Sequence, residues 1–227
     1  LGLETKIYDR KDCEKMGMGA FLAVARGSHQ EPKFIHLKYA PKNPAKRIAI
    51  IGKGLCFDSG GMDLKPASSM LTMRDDMSGA ACILGVMSKL KEFSPSIEVH
   101  GIIAACENMI GPNAYKPGDI LRAKNGKTIE IDNTDAEGRV TLADALCYAC
   151  ELNVDEVIDI ATLTGACMVA LGTHASGIMG NNKDLVNRLI QVGAKSGERY
   201  WEMTIFEEYF DSMKSEIADM KNTGSRW

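Results

Sequence analysis

Arg47-Ile48-Ala49-Ile50-Ile51-Gly52 is an almost unbroken apolar run of strand length, the pattern of a strand buried on both faces. A glycine-rich loop follows it directly, Gly52-Lys53-Gly54-Leu55-Cys56-Phe57-Asp58-Ser59-Gly60-Gly61. Over 76–90 the pattern turns helical. Met77, Ala81 and Leu84, with Ala80, Ile83, Met87 and Leu90, recur at three- and four-residue spacings. This helix is apolar nearly all round and rich in small residues (Ser78, Gly79, Ala80, Ala81, Gly85), which suits a buried helix packed close to a sheet. Residues 97–105 read as the next strand. Strand–helix alternation of this kind predicts an α/β domain of three layers, with a largely parallel central sheet flanked by helices.

Working outward, 4–26 reads as a helix closed by Gly27, and 34–39 as an alternating strand. Downstream, 128–131 is a short strand and 140–152 a helix, with Thr141 and Asp144 spaced as a capping box. A strand at 156–161, a helix at 183–195 and another around 206–213 complete the pattern. No repeat, low-complexity run or linker is visible, so residues 1–227 read as one domain. The polar loops fall mainly where strands end, where open α/β sheets place their ligands.

Composition removes several classes. The chain has 227 residues, 45% apolar and 25% charged, which suffices for a sizeable core and excludes a disordered chain, a collagen and a coiled coil. A net charge of -3 gives no basic footprint for nucleic acid or a membrane surface. The longest apolar-to-small stretch, 160–171, falls short of the roughly 20 residues a membrane span needs. Seven scattered cysteines read as free, buried thiols in a reducing compartment. The start, Leu1-Gly2-Leu3-Glu4, has no initiator Met and no basic-then-apolar leader, and the end reads as mid-loop. The expectation is a piece of a longer chain.

Three loops carry candidate chemistry. In the first, the spacing fails both the Walker pattern and Gly-x-Gly-x-x-Gly, because Phe57 stands where the third glycine belongs. In the second, Met73-Arg74-Asp75-Asp76-Met77, two adjacent carboxylates precede a helix and could simply complement its dipole. The third is Asp132-Asn133-Thr134-Asp135-Ala136-Glu137-Gly138-Arg139. Asp135, Glu137 and Arg139 alternate, so an extended segment would project all three to one face, at the edge of the apolar sequence that follows. Like charges about 4 Å apart cost on the order of 4 kcal/mol at an effective dielectric of 20, so something must offset them. Brought to one sheet edge, Asp58, Asp76, Asp135 and Glu137 carry four negative charges, which two divalent cations would balance. There is no His-Glu-x-x-His. The four histidines read as structural or surface residues, and Cys147-x-x-Cys150, inside a helix without a second pair, as two packed thiols. Gly-x-Ser-x-Gly is absent, so a serine nucleophile elbow has no support.

Asn133-Thr134-Asp135-Ala136-Glu137-Gly138-Arg139, continued by Val140-Thr141-Leu142-Ala143-Asp144-Ala145-Leu146, closely resembles the hallmark segment of the cytosolic leucine aminopeptidase family. Three more stretches resemble the same family in the same order: Gly52-Lys53-Gly54 through Phe57-Asp58-Ser59-Gly60-Gly61, Asp76-Met77-Ser78-Gly79-Ala80-Ala81, and Ala161-Thr162-Leu163-Thr164-Gly165-Ala166. The resemblance covers nearly the whole chain.

It implies a site residue by residue. Two divalent metal ions, Mn or Zn, would share a bridging carboxylate and a bridging water. Asp58 and Glu137 match carboxylates that contact both metals, Asp76 and Lys53 ligands of one, and Asp135 a ligand of the other. As a ligand Lys53 must be the neutral amine, its pKa depressed by the adjacent dications. Lys65 and Arg139 match the two catalytic cations: Lys65 polarises the scissile carbonyl, and Arg139 holds a bicarbonate that relays the proton. Met73, Thr162, Leu163 and Gly165 match positions that line the first side-chain pocket or contact the substrate backbone. Asp75 stands where relatives commonly carry alanine, and spacing to the helix favours Asp76 as the ligand.

The expected activity is hydrolysis of the N-terminal peptide bond of peptides with a free amine. Leucine-like residues would be favoured only modestly, since a methylene is worth ~1–3 kcal/mol. The resemblance further implies a cytoplasmic enzyme, hexameric in its full-length form. It also implies a separate N-terminal domain that is absent here and a catalytic domain incomplete at its C-terminal end. Other readings are a truncated non-catalytic chain, DNA binding as in some relatives, and a two-metal phosphatase or nuclease. The net charge argues against the DNA reading, and the phosphatase leaves a lysine ligand unexplained.

Overall fold

The computed structural model describes residues 3–224. In chain order these form β1 (Glu4–Tyr8), α1 (Arg10–Lys15), α2 (Gly19–Val24), a 3-10 turn at Ala25–Gly27, β2 (Lys33–Tyr39), β3 (Arg47–Asp58), α3 (Ala67–Met70), α4 (Ser78–Phe93), β4 (Glu98–Asn108), β5 (Ile120–Arg122), β6 (Thr128–Glu130), α5 (Glu137–Glu151) and β7 (Glu156–Ile160). They continue with α6 (Gly165–Leu171), β8 (Ser176–Ile178), α7 (Lys183–Ser196), β9 (Tyr200–Glu202), α8 (Glu208–Asp211) and β10 (Met220–Lys221). The described residues fall into two compact units: residues up to Thr162 with Lys214–Thr223, and Leu163–Met213 with Gly224.

The first unit is built on a five-stranded sheet of order β1-β2-β4-β3-β7. The alternation along its strands explains its two covered faces. Ile50 and Ile103 point to one side, where they meet Ala80, Ile83, Met87 and Leu90 of α4. Ala49, Ile51, Ile102 and Ala104 point to the other, where they join Phe21 of α2, Phe34, and Val140, Ala145 and Ala149 of α5. The helix–sheet–helix layering expected from the sequence is therefore present. The sheet itself is mixed. β4, β3 and β7 run parallel, whereas β2 pairs antiparallel with both β4 and β1. The parallel part is the part with helical crossovers, α4 between β3 and β4 among them.

Three local expectations change. The segment 4–26 is not one helix. Glu4–Tyr8 is an edge strand on β2, Asp9 then caps α1 by accepting from Asp12 N at 3.0 Å, and a positive φ of 72° at Gly17 ends that helical stretch. The strand at Arg47 does not stop at Gly52. It runs through Lys53 and Gly54 to Asp58, with a register shift between Leu55 and Phe57. Thr141 and Asp144 do not form a capping box, because α5 already starts at Glu137. The buried Asp144 instead accepts from the Phe21 and Lys124 backbone N–H groups, each at 2.8 Å, and so clamps α2 to α5.

All seven cysteines are free, but Cys56, Cys82 and Cys150 are exposed rather than buried. His36 and His100 form a buried pair, Nε2 to Nδ1 at 2.8 Å, in keeping with a structural role. A small second sheet, β10-β6-β5, belongs to this unit, and Asn222 beyond β10 holds the loop at Asp132 and Asn133.

In the second unit β8 pairs parallel with β9. Thr164 caps α6 and Asn182 caps α7, each accepting a backbone N–H from the first turn. Among the described residues no helix is long and apolar enough to cross a membrane.

Candidate metal centre

The C-terminal ends of β3 and β4, the start of α4 and the start of α5 bring the three sequence loops together. Asp58 is the last residue of β3, Asp76 lies two residues before α4, and Glu137 opens α5. Each offers a carboxylate oxygen within 4.8 Å of the others, and all three are buried. Asp76, not the exposed Asp75, is the member of the aspartate pair that enters the cluster.

Two lysines are threaded among these acids. Lys53 Nζ lies 2.7 Å from Asp76 Oδ1, 2.8 Å from Glu137 Oε1 and 3.0 Å from the Thr162 carbonyl. Lys65 Nζ lies 2.8 Å from Asp58 Oδ2 and also pairs with Asp135 Oδ1. Thr162 Oγ1 donates to Asp76 Oδ1 at 2.8 Å. Gly138 shows why small residues surround Lys53: a Cβ there would lie 2.7 Å from Lys53 Cε.

The loop geometry is fixed by local chemistry. Asn133 Oδ1 accepts Asp135 N–H at 2.7 Å, an Asx turn that points the chain into α5. Thr134 N–H donates to Asp63 Oδ2 at 2.7 Å, and Asp63 N–H returns a bond to Thr134 Oγ1 at 2.8 Å. That reciprocal pair ties the Asp135 loop to the Lys65 loop. Gly60, with φ of 88°, provides the left-handed turn that lets its N–H cap Asp58 Oδ1 at 2.9 Å.

Burial dominates the electrostatics. It pushes the Glu137 carboxyl up to about 7 despite the Lys53 ammonium beside it, and it raises Asp76 and Asp135 in the same direction. Burial opposes charge on both lysines too, but the carboxylates around them outweigh it and hold each ammonium above its ordinary value. A depressed Lys53, as the resemblance implies, requires dications beside it.

The donor set fits divalent cations. Asp58, Asp76 and Glu137 bring hard oxygen donors together in one buried cluster, half-buried Asp135 joins Asp58 through Lys65, and the four carboxyl groups outnumber the two ammonium groups. Asp76 Oδ2 is buried with no hydrogen-bond partner, an expensive omission unless a cation takes it.

Lys53, Asp58, Lys65, Asp76, Asp135 and Glu137 are thus drawn together. Arg139 is not. It is exposed and has no ion-pair or hydrogen-bond partner among the described residues. The alternation expected to align it with Glu137 fails because α5 begins at Glu137. Two residues along a helix turn about 200°, which buries Glu137 and sends Arg139 outward. Met73 is half-buried in the turn between α3 and α4. Leu163 and Gly165 lie in the second unit, at the start of α6, and both are exposed. Sequence reasoning missed Asn108, Thr134, Asp63 and Tyr115. The Thr134-to-Asp63 clamp leaves no sequence signal, since its partners are far apart along the chain.

The whole chain, residues 1–227, matches a family model described as "Cytosol aminopeptidase family, catalytic domain". A "Probable cytosol aminopeptidase" of Gloeobacter violaceus is 56% identical over 227 residues, covering 99% of this chain and 45% of that relative. Relatives of the same name from Persephonella marina and Thermosynechococcus vestitus are 52% and 55% identical, again over 99% of this chain and 45% and 46% of theirs. The chain spans a little under half the length of these relatives.

Proposed function

The chain belongs to the cytosol aminopeptidase family, and from that premise we propose that residues 1–227 serve as the catalytic domain of a leucyl-type metallo-aminopeptidase. The reaction is hydrolysis of the N-terminal peptide bond of peptides that carry a free amine. The observation that carries this reading is the buried convergence of Asp58, Asp76 and Glu137, the last two paired with Lys53 and the first with Lys65.

Lys53, Asp58, Asp76, Asp135 and Glu137 would hold two divalent cations, manganese or zinc. Such cations supply Lewis acidity and an acidified water, with a pKa near ~7. The protein's own groups do the rest. Lys65 is an ammonium beside the acid cluster, paired with Asp58 and Asp135, and suited to polarising a scissile carbonyl once those carboxylates are otherwise engaged. Arg139, exposed and unpaired, is free to take a small oxyanion, and bicarbonate is the proposed one. Thr162 fixes Asp76 through its hydroxyl and Lys53 through its carbonyl, which leaves its peptide positioned for a substrate backbone. Met73, Leu163 and Gly165 complete the proposed substrate contacts, with leucine-like side chains favoured. A cytoplasmic, hexameric enzyme is the proposed context.

The test is hydrolysis of leucine p-nitroanilide by the complete protein, beside N-acetyl-leucine p-nitroanilide and a phosphate monoester. Cleavage of the free-amine substrate alone, lost with a chelator and restored by Mn²⁺, is expected. Equal cleavage of the acetylated substrate, or turnover of the phosphate ester instead, would overturn the reading.

A further inference from the structure

We infer that Asn108, a residue outside every motif described above, is a positioning residue for the metal centre, fixing Asp58 and the segment that carries Asp135 to one another. This rests on the metal-centre reading and deepens it. Asn108 is fully buried, ends β4, and stands in register with Asp58 on β3. Its Nδ2 donates to Asp58 Oδ1 at 2.8 Å and to the Thr134 carbonyl at 3.0 Å. Thr134 immediately precedes Asp135. One NH₂ group therefore spans the two carboxylate-bearing segments.

The orientation of this amide is dictated by its neighbours. A carboxylate and a peptide carbonyl both accept, so the NH₂ must face them and the oxygen must face away. Asn108 Oδ1 is indeed buried and without a partner. The fold thus leaves one buried acceptor unsatisfied while keeping both donors in place. Asn108 is itself anchored: its backbone carbonyl accepts from Ser59 N–H at 2.9 Å and from Ser59 Oγ at 2.8 Å. Asp58 Oδ1 is then occupied by Asn108 and by Gly60 N–H at 2.9 Å, which leaves Oδ2 as the oxygen turned toward Lys65. A group that orients a ligating carboxylate in this way supports cation affinity without touching the cation.

The test is the Mn²⁺ dissociation constant, measured by calorimetric titration of the complete protein, for parent, Asn108→Ala, Asn108→Leu and Tyr115→Phe. Tyr115 OH donates to the same Thr134 carbonyl at 2.8 Å but not to Asp58, so it controls for general loosening. Folded Asn108 variants should bind Mn²⁺ about 10–100-fold more weakly, while Tyr115→Phe changes affinity by less than about threefold. Asn108→Leu keeps the branched side-chain shape without the amide and decides the matter if Asn108→Ala does not fold. An affinity within about twofold of parent, or an equal loss in Tyr115→Phe, would overturn the positioning role but not the metal centre. Failure of both Asn108 variants to fold would likewise assign Asn108 to the core and overturn it. A parent that binds no Mn²⁺ would remove both.

Discussion

Lys53 reaches from β3 over Gly138 to place Nζ 2.8 Å from Oε1 of Glu137, the first residue of α5. Both side chains are almost fully buried, at 3% and 2% exposure. A buried pair broken from one side costs about 3–5 kcal/mol, because the remaining charge is stranded. Lys53→Met should therefore lower the stability of the chelator-treated protein by that order, measured by urea denaturation. A loss under ~1 kcal/mol would show that the ammonium is not what holds Glu137 and Asp76 together.

Gly138→Ala separates site from fold. In an exposed helix an alanine would gain up to about 1 kcal/mol over glycine. Here its Cβ would sit 2.7 Å from Lys53 Cε and 2.9 Å from Nζ, and the flexible end of the lysine must move. The expected outcome is a melting temperature close to parent with peptidase kcat/KM reduced at least about tenfold. Unchanged kcat/KM would mean that the position of Lys53 is not needed.

Arg139→Ala tests the exposed cation. With no partner among the described residues, its removal should leave stability within about 0.5 kcal/mol of parent. If Arg139 holds the oxyanion, parent activity rises with added bicarbonate and the variant's does not. A bicarbonate response retained in the variant would exclude that role.

His36 predicts a pH dependence away from the site. Burial and the neighbouring His100 depress its pKa from 6.5 to about 4, while its Nδ1 pairs with Tyr148 OH at 2.9 Å. A histidine held neutral in the fold binds its proton first in the unfolded chain. Its contribution is complete above pH 6.5 and shrinks as pH falls toward about 4. Glu98, held below its ordinary value by His100 and Lys38 despite burial, acts in the same direction at still lower pH. Buried Glu137, raised to about 7, takes up its proton in the fold and opposes this over the same range, so the His36 contribution is read as a difference: between pH 7 and 5 the parent's denaturation midpoint should fall relative to that of His36→Gln. An equally steep slope in the variant would place the titration elsewhere.

Much of this was legible because strand and helix periods are local. The run at Arg47 and the helix containing Ile83 and Met87 became β3 and α4 because their apolar spacing matches the faces they bury. Asp58, Asp76, Asp135 and Glu137 were legible as a charge problem: four acids that needed cations. Three features were not legible, each for a physical reason. Glu4–Tyr8 is a strand because an edge of β2 was open to it, which is a tertiary fact. Arg139 left its expected face because α5 starts at Glu137, three residues earlier than the apolar pattern suggests. Asn108 had no signal, since its value lies in pairing with Asp58 and Thr134, partners set by the fold.

The most direct test of the metal centre is divalent-metal stoichiometry by native mass spectrometry on the complete protein, with Asp58→Ala as the control. Parent should carry about two Mn²⁺ or Zn²⁺ ions per chain, and Asp58→Ala should lose them. A folded parent that carries none would contradict the account at its centre.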